Sequence, residues 1–186
     1  MPSAPASGAL PILPLRRPTL RFMLVHPAHM VALGFGAGLA PRAPGTVGTL
    51  WAWAAFMLMQ RWLPAGALGW IILAALPLGW WACTVTARHM AIADPGAIVW
   101  DEVVGFWLVL WLVLPAGLLA QLVAFALFRL FDAAKPGPVA WADQLFKQRQ
   151  ATPATMSWKA AGFGILFDDL VAAFCTLLVI ALFRSW

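Results

Sequence analysis

The sequence predicts an all-α fold: a polytopic membrane helical bundle with about five spans and a short interfacial helix near its amino terminus. Three observations predict it. Apolar residues make up 63% of the 186 positions and charged residues only 10%, with mean hydropathy +0.85. A soluble domain carries roughly 45–50% apolar and about 25% charged residues, so this chain cannot cover itself with a water-compatible surface. The apolar residues also fall into runs of helical length separated by Pro, Gly and charge. Finally, tryptophans cluster near the ends of those runs (Trp62, Trp80, Trp81, Trp100, Trp158, Trp186), as an interfacial aromatic belt requires. A soluble globular protein, a disordered chain and a nucleic-acid binder with a charged face are excluded.

Residues 1–27 read as a flexible basic tail on the cytoplasmic side. Pro11, Pro14 and Pro18 interrupt the only candidate signal core, and Arg16, Arg17 and Arg21 follow it. Residues 28–186 form one membrane-embedded domain. Ala28 to Ala40 is apolar but short and glycine-rich, so it is expected at the interface and not across about 30 Å of hydrocarbon. Spans are expected at Val47–Leu63 and Ala67–Ala87, and a last one at Ala160–Phe183. Cys83 and Cys175 lie in apolar runs with no redox or zinc motif, so no disulfide is expected. His26, His29 and His89 look too scattered to build a metal site.

The stretch Val103–Phe131 decides the topology. As one Pro-kinked span it would divide the 12 basic residues evenly across the membrane. If Pro115-Ala116-Gly117 is a turn, two short helices form a hairpin. Ten of the 12 then lie inside, leaving Arg61 and Arg184 outside. The positive-inside rule and the turn chemistry both favour the hairpin.

With that topology none of the seven carboxylates lies outside. Asp101-Glu102 opens one short helix, Asp132 closes its partner, and Asp168-Asp169 sits within the last span. Asp168 is roughly 12 Å deep, where a charge needs a partner, water or a cation. It either pairs internally with Arg129 or Lys135, or joins a site for a hard cation. Converging carboxylates suit Mg²⁺, which takes oxygen ligands, waters and a substrate phosphate. Pro44-Gly45-Thr46 opens a helix whose free N–H groups and positive dipole end attract an anion, with Arg42 beside it; Thr46 or Thr49 would equally serve as an N-cap. Arg129, Asp132 and Lys135 share one helical face by spacing. Carboxylates for a metal beside cations for a phosphate point to phosphoryl chemistry at the cytoplasmic membrane surface.

Four segments carry a family likeness: Gly34-Phe35-Gly36 with Ala40 to Thr49, Asp94 with Ile98 to Gly105, Phe128 to Asp132 with Lys135-Pro136, and Gly162 to Leu170. In this order they closely resemble the phosphatidylglycerophosphatase A family over about Ala28 to Phe183. The resemblance implies an all-helical, Mg²⁺-dependent phosphatase of the bacterial inner membrane. It would convert the phospholipid phosphatidylglycerophosphate to phosphatidylglycerol and phosphate, with its site on the cytoplasmic side. Asp101, Glu102 and Asp168 are expected to lead metal binding with Asp94, and Asp132 and Asp169 to join them in the catalytic set. Arg42, Gly45, Thr46, Arg129 and Lys135 are expected to hold the phosphate. Water, deprotonated with help from an Asp, would attack phosphorus directly, with no role for Cys or His. A transporter or proton relay would also use intramembrane Asp168 and Asp169, but would spread its polar groups through the bilayer depth.

Overall fold

The computed structural model describes residue 15, residues 17–147 and residues 156–184. Eight α-helices occur among them, with one 3-10 segment and no strand. They are α1 (Leu20–Val25), α2 (Pro27–Ala32), the 3-10 segment Gly34–Leu39, α3 (Pro44–Met59), α4 (Ala65–Met90), α5 (Trp100–Leu112), α6 (Leu118–Ala134), α7 (Pro138–Lys147) and α8 (Trp158–Arg184).

Helix α5 is the axis of the bundle. Its sequence is apolar around its whole circumference, and such a helix must be covered on every side. Val103, Val104, Phe106, Val109 and Leu110 are fully buried, against α3, α4 and α8. Indole N–H groups inside an apolar bundle need acceptors. Trp107 Nε1 donates to the Ala52 carbonyl at 2.8 Å, and Trp100 Nε1 to the Ala75 carbonyl at 3.1 Å. Trp100 is therefore a core residue, not part of an interfacial belt. Trp62, 80% exposed, remains outside, while Trp186 falls outside the described residues. Helix α8 presses on α4 closely enough that a Cβ at Gly162 would stand 2.1 Å from Thr84 Oγ1.

The expected hairpin is present: Val103–Phe131 divides into α5 and α6 around Pro115-Ala116-Gly117. Of the five spans expected, two are supported by length and composition: among the described residues α4 and α8, with 26 and 27 residues, are long and apolar enough to cross a membrane. Helices α3, α5 and α6 have 16, 13 and 17 residues, about 20–26 Å at 1.5 Å per residue.

The amino-terminal region also differs from expectation. Among the described residues, helical structure begins at Leu20, ahead of Pro27, and Met23 is buried. Residues 28–40 do not form one interfacial helix. Helix α2 buries Ala28, His29 and Ala32 against α4. The Thr86 hydroxyl donates to the Ala28 carbonyl at 3.3 Å. Glycines then turn the chain: Gly34 has φ +54° and Gly36 φ +115°. Helix α7 was not expected. Val139 and Ala142 on it are fully buried and Phe146 packs on Phe163 and Phe167 of α8, an i, i+3, i+7 stripe.

Candidate functional site

Four helix segments bring the charged residues to one end of the bundle. Asp101 and Glu102 occupy the first turn of α5, where free N–H groups and the dipole favour carboxylates. Arg129 and Asp132 come from the last turns of α6, and Asp168 and Asp169 from within α8. The start of α3 completes the group, because Gly45 faces Glu102 and Arg129.

Among the described residues, Asp101, Glu102 and Asp169 form a cluster in which one carboxylate oxygen from each lies within 4.8 Å of the others. Glu102 and Asp169 are buried. Asp101 Oδ1, Glu102 Oε2 and Asp169 Oδ2 are buried atoms with no hydrogen-bond partner, and so is Arg129 Nε. Arg129 Nη1 pairs with Asp132, approaches Glu102 Oε1 at 3.7 Å and donates to Thr49 Oγ1 at 3.3 Å. Two of these four carboxylates, Asp132 and Glu102, thus lie against one guanidinium. Ionised carboxylates this close repel strongly when desolvated, and a buried charge left uncompensated costs several kcal/mol. The unpartnered oxygens are the donor set that a hard divalent cation takes. Its third member is Asp169.

Asp168 is placed elsewhere. Consecutive helical residues point roughly 100° apart, so Asp168 faces α7 while Asp169 faces α5. Lys135 Nζ donates to Asp168 Oδ2 at 2.6 Å and to Asp143 of α7. Internal pairing with Lys135 is therefore the observed state of Asp168. Burial opposes the Lys135 charge, but Asp168 and Asp143 outweigh it and hold its ammonium above the ordinary lysine range. Asp94 lines a small cavity with Asp143 and Asp168, apart from the Asp101 cluster.

At the start of α3, a Cβ at Gly45 would stand 2.1 Å from Glu102 Oε1 and 3.3 Å from Arg129 Nη1. Only a glycine lets the backbone of α3 come this close. Thr46 follows it, half-buried, whereas Arg42 is exposed on the preceding loop. Thr49 is fully buried; its hydroxyl donates to the Gly45 carbonyl at 2.8 Å and accepts from Arg129. It links the start of α3 to the guanidinium, a role that its position one turn after Gly45 could have suggested. Asp143 was missed as well, since its helix had not been recognised.

A family model described as phosphatidylglycerophosphatase A matches residues 30–184. A protein of that name from Escherichia coli K12 is 35% identical over 153 residues, which cover 82% of this chain and 80% of its own length. Another, from Haemophilus influenzae, is 35% identical over 171 residues, covering 91% of this chain and 96% of its own length. No solved structure matches the chain.

Proposed function

Because the chain belongs to the phosphatidylglycerophosphatase A family and is therefore a phosphoric monoester hydrolase, we propose that it releases phosphate from phosphatidylglycerophosphate in a Mg²⁺-dependent reaction. One observation carries the metal-dependent reading: three unpartnered, buried carboxylate oxygens beside an unpartnered Arg129 Nε. A transporter or relay is not favoured, because the ionised groups collect at one end of the helices.

Asp101, Glu102 and Asp169 would hold the ion, with Asp132 pairing Arg129 beside them. The ion, when bound, supplies positive charge at the phosphoryl oxygens and acidifies water. Arg129 turns its unpartnered Nε edge to the phosphate while Nη1 stays anchored on Asp132 and Thr49. Free N–H groups at the start of α3, around Gly45 and Thr46, face the same anion. A cluster carboxylate takes the proton of the attacking water, the phosphorus–oxygen bond to glycerol breaks, and the glycerol oxygen regains a proton. Lys135, held by Asp168 and Asp143, adds positive charge at the rim. The diacylglycerol stays in lipid, since α4 and α8 cross the bilayer. Helices α3, α5 and α6 cross as well, as short helices whose ends sit among headgroups or thin the bilayer locally. The charged end then lies on the cytoplasmic face of a bacterial inner membrane.

Phosphate release by the purified protein in lipid–detergent micelles tests the reading. Phosphatidylglycerophosphate should be hydrolysed with Mg²⁺ and not with EDTA, and phosphatidic acid much more slowly. Equal release in EDTA would reject the metal, and preference for phosphatidic acid would reject the substrate. Gly45→Ala should lower release at least tenfold with little change in melting temperature, because its Cβ enters the space of Glu102 Oε1. Unchanged turnover would show that the approach of α3 is not used.

A further inference from the structure

The three histidines that look scattered in sequence meet in the fold. Packing of α2 on the carboxy-terminal end of α4 brings His26 and His29 to His89. The ring centroids are 5.3 Å apart for His26–His29, 5.7 Å for His26–His89 and 5.0 Å for His29–His89. Three imidazoles bound to one tetrahedral ion, each about 2.0–2.1 Å from it through nitrogen, place their ring centroids about 5 Å apart. The observed centroids are close to that spacing, although only the His29 and His89 nitrogens are already in contact. Among the described residues, Asp101, Glu102 and Asp169 alone hold three ligand atoms within 4.8 Å of one another, so the His26 ring has to rotate to complete the triangle.

We propose that His26, His29 and His89 form a binding site for a transition-metal cation of the zinc class, separate from the carboxylate cluster, that clamps α1 and α2 onto α4. His29 leads the site. It is buried, 2% exposed, with its ring stacked on Phe22 at 4.0 Å. Its Nδ1–H donates to the Phe22 carbonyl at 2.8 Å, which leaves the Nε2 lone pair for another partner. Metal-bound histidines are held in this way, the far N–H given to a carbonyl so that ring and tautomer are fixed. His29 Nε2 lies 2.8 Å from His89 Nδ1. Without an ion, His89 Nδ1–H donates across this gap. When His89 carries its proton on Nε2, both facing nitrogens present lone pairs, and no proton needs to leave the protein.

His26 supplies the third imidazole. Its Nδ1 accepts from the Ala28 N–H at 3.1 Å, so Nε2 is its ligand atom, and the half-buried ring reaches the pair by turning. His89 is exposed, which gives an ion a path in and leaves the fourth position to water. Imidazole suits zinc-class ions, whereas Mg²⁺ prefers oxygen. The two sites therefore select different metals.

Tag-free full-length protein in detergent, kept in excess Mg²⁺, is titrated with Zn²⁺ by calorimetry and with Co²⁺ by visible absorption. One Zn²⁺ should bind despite the Mg²⁺. Co²⁺ should give the intense bands of a tetrahedral nitrogen site, not the weak bands of an octahedral oxygen site. His89→Ala and His26→Ala, both outside the buried core, should each weaken Zn²⁺ binding at least tenfold and lose the Co²⁺ bands, while Mg²⁺-supported phosphate release is retained. Asp101→Asn should bind Zn²⁺ as the unaltered protein does. Absence of Zn²⁺ binding, or unchanged affinity and spectrum in both histidine variants, would overturn the site and leave a hydrogen-bonded cluster only. Loss of the Zn²⁺ in Asp101→Asn alone would assign the ion to the carboxylates.

Discussion

Asp169→Asn is expected to lower phosphate release by at least a hundredfold while the protein keeps its fold, and Asp168→Asn to do the reverse. The two neighbours face different partners. Asp169 Oδ2 is buried without a hydrogen bond and shares the 4.8 Å cluster with Asp101 and Glu102. An amide of the same size removes the charge that attracts a cation and relieves repulsion among the remaining carboxylates, so stability is held or raised. Losing one element of a preorganised electrostatic site typically costs 10²–10³ in turnover. Asp101→Asn should behave in the same way. Asp168 instead accepts from Lys135 at 2.6 Å, with its side chain 10% exposed. Removing one partner of a buried pair costs about 3–5 kcal/mol; Asp143 still holds Lys135, so the lower end is expected. Steady-state kinetics at saturating Mg²⁺, beside melting curves, separate the two outcomes. If Asp168→Asn is the dead enzyme and Asp169→Asn the active one, the metal set is Asp168 with Asp94 and the cluster assignment fails.

The sequence favours Asp168 as the leading ligand, whereas the fold places Asp169 in the cluster, and the reason is helix geometry. Both lie in one apolar run, and a rotation of roughly 100° decides which faces α5. That rotation depends on the seam between α8 and α4, where Gly162 meets Thr84, and a linear pattern does not contain it. The break at Pro115-Ala116-Gly117 was legible because those residues act locally, whatever packs around them. Asp101-Glu102 and Arg129 with Asp132 were legible for a similar reason: they sit at the ends of apolar runs, so their placement needs only the helix boundaries. Helix α7 was not, because its ten residues are fewer than three helical turns and give little period to read. The histidines were the least legible. His29 and His89 are 60 positions apart, and only the packing of α2 on α4 brings them into contact.

Arg129→Lys is expected to lower kcat/KM at least a hundredfold, although the formal charge is kept. Arg129 is the one cation that pairs with the group Asp101, Glu102, Asp132 and Asp169 among the described residues. Its fork divides the work: Nη1 binds Asp132 and Thr49, and Nε is left unpartnered. A lysine ammonium is a point charge without that rigid geometry. Drawn to Asp132 and Glu102, it cannot also present a directed N–H to a phosphate. Mg²⁺ affinity discriminates between a binding and a merely charge-balancing role. In Arg129→Met a positive charge leaves the neighbourhood of three cation-binding carboxylates, so the ion should bind as tightly as before or more so, while phosphate release falls further than in Arg129→Lys. The checks are Mg²⁺ titration of activity for both variants and inhibition by inorganic phosphate, which should weaken in parallel with kcat/KM. Near-normal kcat/KM in Arg129→Lys, or activity in Arg129→Met restored by raising Mg²⁺ alone, would mean that Arg129 only balances the carboxylates and that the phosphate is held elsewhere.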